Sequence, residues 1–456
     1  IARGILRGKQ TEQRCPNDTW CEPSHQRGAA MDPECGTARQ GRQSESPASM
    51  SAWYDPGAMV GTTRRLRLDE ALGARLGDRD AHALRRRLRV LTGGVGPRVM
   101  LDGRSVIQLS SNDYLGLASH PALTRAACDA IAQYGIGAGS ARLVGGTTDT
   151  HAELEAAIAA LKRTDAAVVL STGYHVNTGV IPALVGAGDQ IFSDALNHAS
   201  LIDGCRLSAA AVSVYRHADA DHLDTLLAAS SPARQRLIVT ETVFGMDGDL
   251  APLAELVEIA RRHDAWLMVD EAHATGVFGP HGGGLADHLG LSEEVDVQMG
   301  TLSKALGALG GFVAGSDALA AHVVNEVRTF VYTTALPPSI AAAARVAIDL
   351  VMREPERRHR LWRHADFLRK QLTSAGFALG ASRSQILPVV VGSADTAVRF
   401  SDELLARGVF VPAIRPPTVP DGSARLRVTP MATHSEDDLQ EAVDVFVAAG
   451  RQAGLI

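Results

Sequence analysis

The chain has 456 residues, 45% of them hydrophobic and 21% charged, with a net charge of −6. That is enough for more than one domain and a large buried core, and it lacks the basic footprint that nucleic-acid binders carry. No apolar run reaches the roughly 18 residues a membrane span needs, no apolar signal segment opens the sequence, and five cysteines without a C-x-x-C pair point to a reducing cytoplasm.

Residues 1–60 are rich in Gly, Ser, Pro, Gln and Arg and show no sustained periodicity, which predicts a disordered N-terminal tail. An N-terminal segment, 61–108, follows and carries the basic stretch AHALRRRLRVL. GIGAGSARLVGG (135–146) reads as a flexible glycine-rich loop bordering a site. HAELEAAIAALKR (151–163) has helical spacing and precedes the short apolar strand AAVVLS. The alternation then repeats: QIFSD and HASLIDGCRLS, VSVYRH and HLDTLLAAS, RLIVTETVF and LAELVEIARRHD, AWLMVDEAH, VDVQMGTLSKALG, with GGFVAGS as a further strand. Strands alternating with helices predict an α/β fold around a mostly parallel sheet covered on both faces, over a large domain at 109–337. After Pro337-Pro338 one long helical stretch, 339–372, and the strands ILPVVVG and SARLRVTP predict a smaller C-terminal α+β domain, 338–456.

The sequence has four lysines. Lys9 falls in the tail, and Lys162 and Lys370 sit among arginines on helix faces, where a solvated surface charge is expected. Lys304 differs, because GTLSKALGALGG surrounds it with small and apolar residues just after a strand. Burial lowers a lysine's pKa and makes the amine nucleophilic, as Schiff-base chemistry with pyridoxal 5'-phosphate (PLP) needs. Such a cofactor also needs an acid facing its pyridine nitrogen. Asp270 ends the strand AWLMVD, where parallel sheets present ligand sites. His273, three residues on, could reach the phenolic oxygen. STGYHVNTG (171–179) follows a strand and opens a helix, so Gly173 and Tyr174 could offer backbone N–H groups to a phosphate, and Thr301 a hydroxyl. Asp270, Glu271 and His273 lack the H-E-x-x-H spacing and a third histidine, so no metal site is expected.

Together SNDYLGLASHP, GSARLVGGT, DALNHASLIDG, VDEAHATGVFG, GTLSKALGALGG and YTTALPP, in this order, resemble the α-oxoamine synthases, a branch of fold-type I PLP-dependent transferases, from about residue 80 to the C-terminus. The resemblance implies a seven-stranded-type sheet, PLP as cofactor and a homodimer. It implies that Lys304 carries the cofactor, that Asp270 faces the pyridinium, that His273 lies at the phenolic oxygen and that His198 stacks on the ring. It gives Gly173, Tyr174 and Thr301 to the phosphate, with Thr333 reaching it across a dimer interface. Asn112 and Arg427 would hold the amino-acid carboxylate, and Arg85 and Thr418 the acyl substrate. The block AIRPPTVPDGSARLRVT suggests L-alanine and a pimeloyl thioester, on CoA or an acyl-carrier protein, whereas HASLIDGCRLS is similar to members using glycine and acetyl-CoA. One residue departs from the pattern: Gly245 in VFGMDG stands where the family usually has serine.

Overall fold

The computed structural model describes residues 67–456, so the tail expected at 1–60 lies outside the described residues. Seven strands form the main sheet in the order Ala166–Leu170, Gly311–Gly315, Val297–Thr301, Trp266–Asp270, Arg236–Glu241, Gln190–Asp194, Ala211–Tyr215. Gly311–Gly315 runs antiparallel to both of its neighbours, and the other pairings are parallel. The central strands are apolar on both faces because helices cover both. Leu237 and Val239 meet helices Gly173–Leu184 and Ala199–Leu207, while Ile238, Leu267 and Val269 meet Ala220–Ala229 and Leu253–Arg262.

The parallel strands finish at one edge, where Asp194, Glu241, Asp270 and Thr301 are their last residues. All four are buried. Polar side chains gathered at strand carboxyl ends make this edge the place for a ligand.

A second core surrounds the three-stranded sheet built from Leu387–Gly392, Ala424–Val428 and Ala413–Ile414. Phe377, Phe400 and Phe446 meet there with ring centroids 5.8–6.0 Å apart. Ile107 and Leu109 join this core, and the strand Arg104–Gln108 pairs in parallel with Val409–Phe410. The N-terminal segment is thereby tied to the C-terminal part of the chain.

Three expectations need correction. The single helical stretch after 338 is two helices, Pro338–Arg353 and Pro355–Ala375. Pro355 has no N–H to give and excludes the helical conformation at Glu354, so it ends the first helix and starts the second. The loop at 135–146 is fixed over its last part, where 142–146 forms a short π-helix. Arg142 clamps it by pairing with both oxygens of Glu155, at 2.9 and 3.0 Å. Lys162 is not a surface charge. It is fully buried, bonded to Glu271 and to the Gly283 carbonyl at 2.6 Å. Lys370 is exposed as expected.

Candidate active site

Lys304 lies in the turn that follows the strand Val297–Thr301, half-buried and facing the other strand ends. Burial lowers the pKa of its amine; Asp270 and Glu241 oppose this, and Arg427 adds to it. The result is an amine closer to its neutral, nucleophilic form than an exposed lysine.

Asp270 sits at the floor of the site. Its Oδ2 accepts from Asn177 Nδ2 at 2.8 Å and its Oδ1 from the Ala272 N–H at 2.9 Å. His198 caps helix Ala199–Leu207 and is open to solvent. Desolvation of its ring lowers its pKa, against the pull of Asp270. His273 is buried. Its Nδ1 lies 2.7 Å from Tyr114 Oη and its carbonyl accepts from Gln385 Nε2 at 2.9 Å. Burial, with Lys304 and Arg427 nearby, holds His273 well below the usual histidine pKa, so the ring is neutral.

Arg427 projects from the strand Ala424–Val428 into the same cluster. Nη1 donates to Asn112 Oδ1 at 2.9 Å, Nη2 to Tyr114 Oη at 2.9 Å, and Nε to the Gly245 carbonyl. All these partners are neutral, so among the described residues this buried cation is hydrogen-bonded but has no ion-pair partner. Buried charges of this kind call for a counter-charge.

Gly173 begins helix Gly173–Leu184, whose N-cap Thr172 accepts from the His175 N–H at 3.1 Å. The first-turn N–H groups of Gly173 and Tyr174 have no helical partner. A Cβ on Gly173 would lie 2.9 Å from Met299 Cε, the flexible end of that side chain, and 3.6 Å from Thr301 Cβ, so this helix end packs closely against the strand carrying Thr301. The Thr301 hydroxyl donates to the Gly310 carbonyl at 2.8 Å.

The structure therefore gathers Lys304, Asp270, His198, His273, Asn112 and Arg427, with Gly173 and Thr301 side by side. Four other expected residues make separate contacts. Arg85 pairs with Asp80 at 2.6 Å on the rim of a cleft of about 590 Å³, and Thr418 accepts from Arg86 at 3.2 Å. The Tyr174 ring is exposed and its hydroxyl bonds Asp203. Thr333 is half-buried beside Thr334, which bridges to Ala141. Sequence reading missed Tyr114, Asn177, Ser200 and Glu241, although each lies inside or beside a quoted block. Glu241 is a strand-end acid like Asp270, and the same signal could have found it. Burial pushes its carboxyl up to about 8, with Asp270 adding and Lys304 opposing.

A family model described as aminotransferase class I and II matches residues 104–446. The 8-amino-7-oxononanoate synthase of Geobacter sulfurreducens is 50% identical over 376 residues, which are 82% of this chain and 96% of that protein. The chain belongs to the α-oxoamine synthase branch of this family. Among solved structures, an S. paucimobilis serine palmitoyltransferase variant with a bound PLP–myriocin adduct is 34% identical, with a TM-score of 0.81 over 85% of this chain and 98% of that one. The 8-amino-7-oxononanoate synthase of Francisella tularensis is 28% identical, with a TM-score of 0.67 over 77% and 99%. The architecture is that of the fold-type I PLP-dependent transferases. The α-oxoamine synthase residues fit PLP: a desolvated amine, a strand-end carboxylate fed by two donors, and a bare glycine at a helix N-terminus. No helix among the described residues is long and apolar enough to cross a membrane.

Proposed function

We propose that this chain condenses L-alanine with a pimeloyl thioester, carried on CoA or an acyl-carrier protein, releasing CO2 and the thiol carrier to give 8-amino-7-oxononanoate. The observation that carries the reading is Arg427, a buried guanidinium among neutral partners in the same cluster as the desolvated Lys304 amine. That pair suits an α-amino acid, whose carboxylate supplies the missing counter-charge through a charge-assisted contact. The 50% identity to a curated 8-amino-7-oxononanoate synthase supports alanine and the pimeloyl chain.

When bound, PLP supplies the electron sink that makes an amino-acid α-proton removable. Lys304 would hold it covalently, Asp270 would pair with its ring nitrogen, His198 would lie on its face and His273 at its phenolic oxygen. The N–H groups of Gly173 and Tyr174, with Thr301 and Thr333, would take its phosphate. Arg427 and Asn112 orient the alanine carboxylate. The Lys304 amine, once free, takes the α-proton as a general base, for which its lowered pKa suits it. Arg85 and Thr418 would meet the acyl chain. A cytoplasmic location fits the free thiols of Cys128 and Cys205.

A homodimer belongs to this reading. Val144 is 84% exposed, Ile136 79% and Tyr332 74%, and the segments bearing Val144 and Tyr332 adjoin through the Ala141–Thr334 bridge next to Thr333. Exposed apolar residues grouped in this way mark an interaction surface.

The test is to supply PLP-loaded protein with L-alanine and pimeloyl-CoA, and separately with glycine and acetyl-CoA, and to identify products by mass spectrometry. The pimeloyl aminoketone from alanine is expected. Product from glycine and acetyl-CoA alone would replace the substrate assignment while keeping the mechanism, and would favour the reading of HASLIDGCRLS. Lys304→Ala should lose turnover by several orders of magnitude together with the visible cofactor band; near-normal turnover would end the scheme.

A further inference from the structure

Asn177 bonds Asp270 and Ser200, Ser200 in turn bonds His198, and neither has a role in the mechanism above. Asn177 is fully buried in helix Gly173–Leu184, and Ser200 is buried in the first turn of helix Ala199–Leu207. The Asn177 amide nitrogen lies 2.8 Å from Asp270 Oδ2 and 2.9 Å from Ser200 Oγ. The opposite amide orientation would set Oδ1 against the carboxylate, oxygen to oxygen, so Asp270 fixes which way the amide points. Both amide hydrogens are then used, one on each partner, and Asn177 Oδ1 is left buried without a partner of its own.

The rest follows from donor accounting. Ser200 Oγ accepts from Asn177, so its own hydrogen is free to point onward, and His198 Nδ1 is 2.7 Å away. The Ser200 backbone N–H also points at Nδ1, at 3.2 Å. A backbone N–H can only donate. Nδ1 therefore has to be an acceptor, and the imidazole proton sits on Nε2. This agrees with the lowered pKa of the ring.

We infer that Asn177 and Ser200 are positioning residues: they form a hydrogen-bond relay that diverges from the Asn177 amide, orients the Asp270 carboxylate at one end and, through Ser200, locks His198 at the other as the neutral Nε2–H tautomer, so that the ring offers one fixed donor to whatever binds at Lys304. The relay ties the group under the site to the group over it, so a change at one end is felt at the other. Asn177 Oδ1, stranded in the interior, is the cost of pointing the amide this way. The inference rests on the reading of this cluster as the PLP site for its purpose, but not for its test.

The test is long-range 1H–15N correlation on protein labelled at the histidine ring nitrogens, with and without PLP, the His198 signals being assigned by their loss in His198→Gln. The Nε2–H pattern is expected for His198 in both states. An Nδ1–H pattern, or a fast-exchanging charged ring at neutral pH, overturns the relay. Ser200→Ala removes one of the two donors to Nδ1 and should turn the single tautomer into a mixture, whereas an unchanged pure Nε2–H pattern would show that the hydroxyl does not set it. Asn177→Ala should weaken PLP retention by about tenfold, the loss of one charge-assisted bond to Asp270, and should loosen the His198 tautomer, which it does not touch. If retention falls but the tautomer stays fixed, the coupling between the two ends is refuted. Should a variant fail to fold, the wild-type tautomer still decides the main claim. Because the tautomer is read in cofactor-free protein, a failure of the relay and a failure to bind PLP are separate results.

Discussion

Gly245 shows how one missing side chain shapes the site. An ideal Cβ there would lie 2.5 Å from His273 Nε2 and 3.0 Å from its Cδ2, so the imidazole occupies space that a serine would need. The ring is held in that place through Nδ1, 2.7 Å from Tyr114 Oη. Gly245→Ser should therefore crowd a tightly packed interior at about 1–3 kcal/mol and lower the thermal midpoint. His273→Ala in the same protein should remove most of that loss. A Gly245→Ser protein as stable as the parent would mean that the ring yields freely. Lys162 is the second case at this scale. Lys162→Met leaves Glu271 buried without its cation, for a loss of about 3–5 kcal/mol, whereas replacing both by apolar residues should restore much of it. Urea denaturation of the single and double variants measures both.

At the scale of elements, the site depends on loops that sequence separates and charge joins. His217 stands between two carboxylates, with Nδ1 2.9 Å from Asp194 Oδ1 and Nε2 2.8 Å from Asp249 Oδ2. Asp194 ends a strand four residues before His198, and Asp249 closes the turn that holds Gly245. Burial alone would lower the His217 pKa, but the bonds to Asp194 and Asp249 outweigh it and raise it to about 10. The folded pKa thus lies above the unfolded value of about 6.5. The stabilisation is complete below about 6.5 and is lost as pH rises toward 10. Thermal midpoints should fall across that window in the wild-type chain. In His217→Gln they should be lower at neutral pH and much flatter with pH; parallel curves would show that the His217 charge does not bolt these loops. Arg425, bonded to Asp247, fastens the same turn to the C-terminal sheet.

For the whole molecule, the exposed apolar group at Ile136, Val144 and Tyr332 flanks the segment that carries Thr333. If this surface closes between two copies, Val144→Asp should shift sedimentation from dimer toward monomer. It should also weaken PLP retention if Thr333 serves the phosphate from the partner. A wild-type monomer at micromolar concentration would remove both expectations. The two cores bear on the same site: the main sheet presents Lys304, Asp270 and His198, and the three-stranded sheet presents Arg427. Relative movement of the two would change the distance between the amine and the carboxylate receptor.

The sequence alone determined the alternation of strands and helices, because burial on both faces leaves short continuous apolar runs such as 237–239 in RLIVTE and 266–269 in WLMVD. It also singled out Lys304, since a charged residue among small and apolar neighbours is conspicuous in one dimension. Asp270 and His273 were legible for a related reason, the end of a strand being a place with a known use. The partners of charged and polar residues were not legible. Lys162 beside Arg163 reads as surface charge, and only the packing of the helix Asp149–Lys162 against the turn at 283–286 brings it to Glu271. Asn177 reads as one more polar residue in a helix until the fold sets it against Asp270, 93 residues away. Periodicity records which face of an element is covered. Which buried hydrogen bond or charge meets which is decided by tertiary packing, because those contacts join residues whose spacing in the chain carries no pattern.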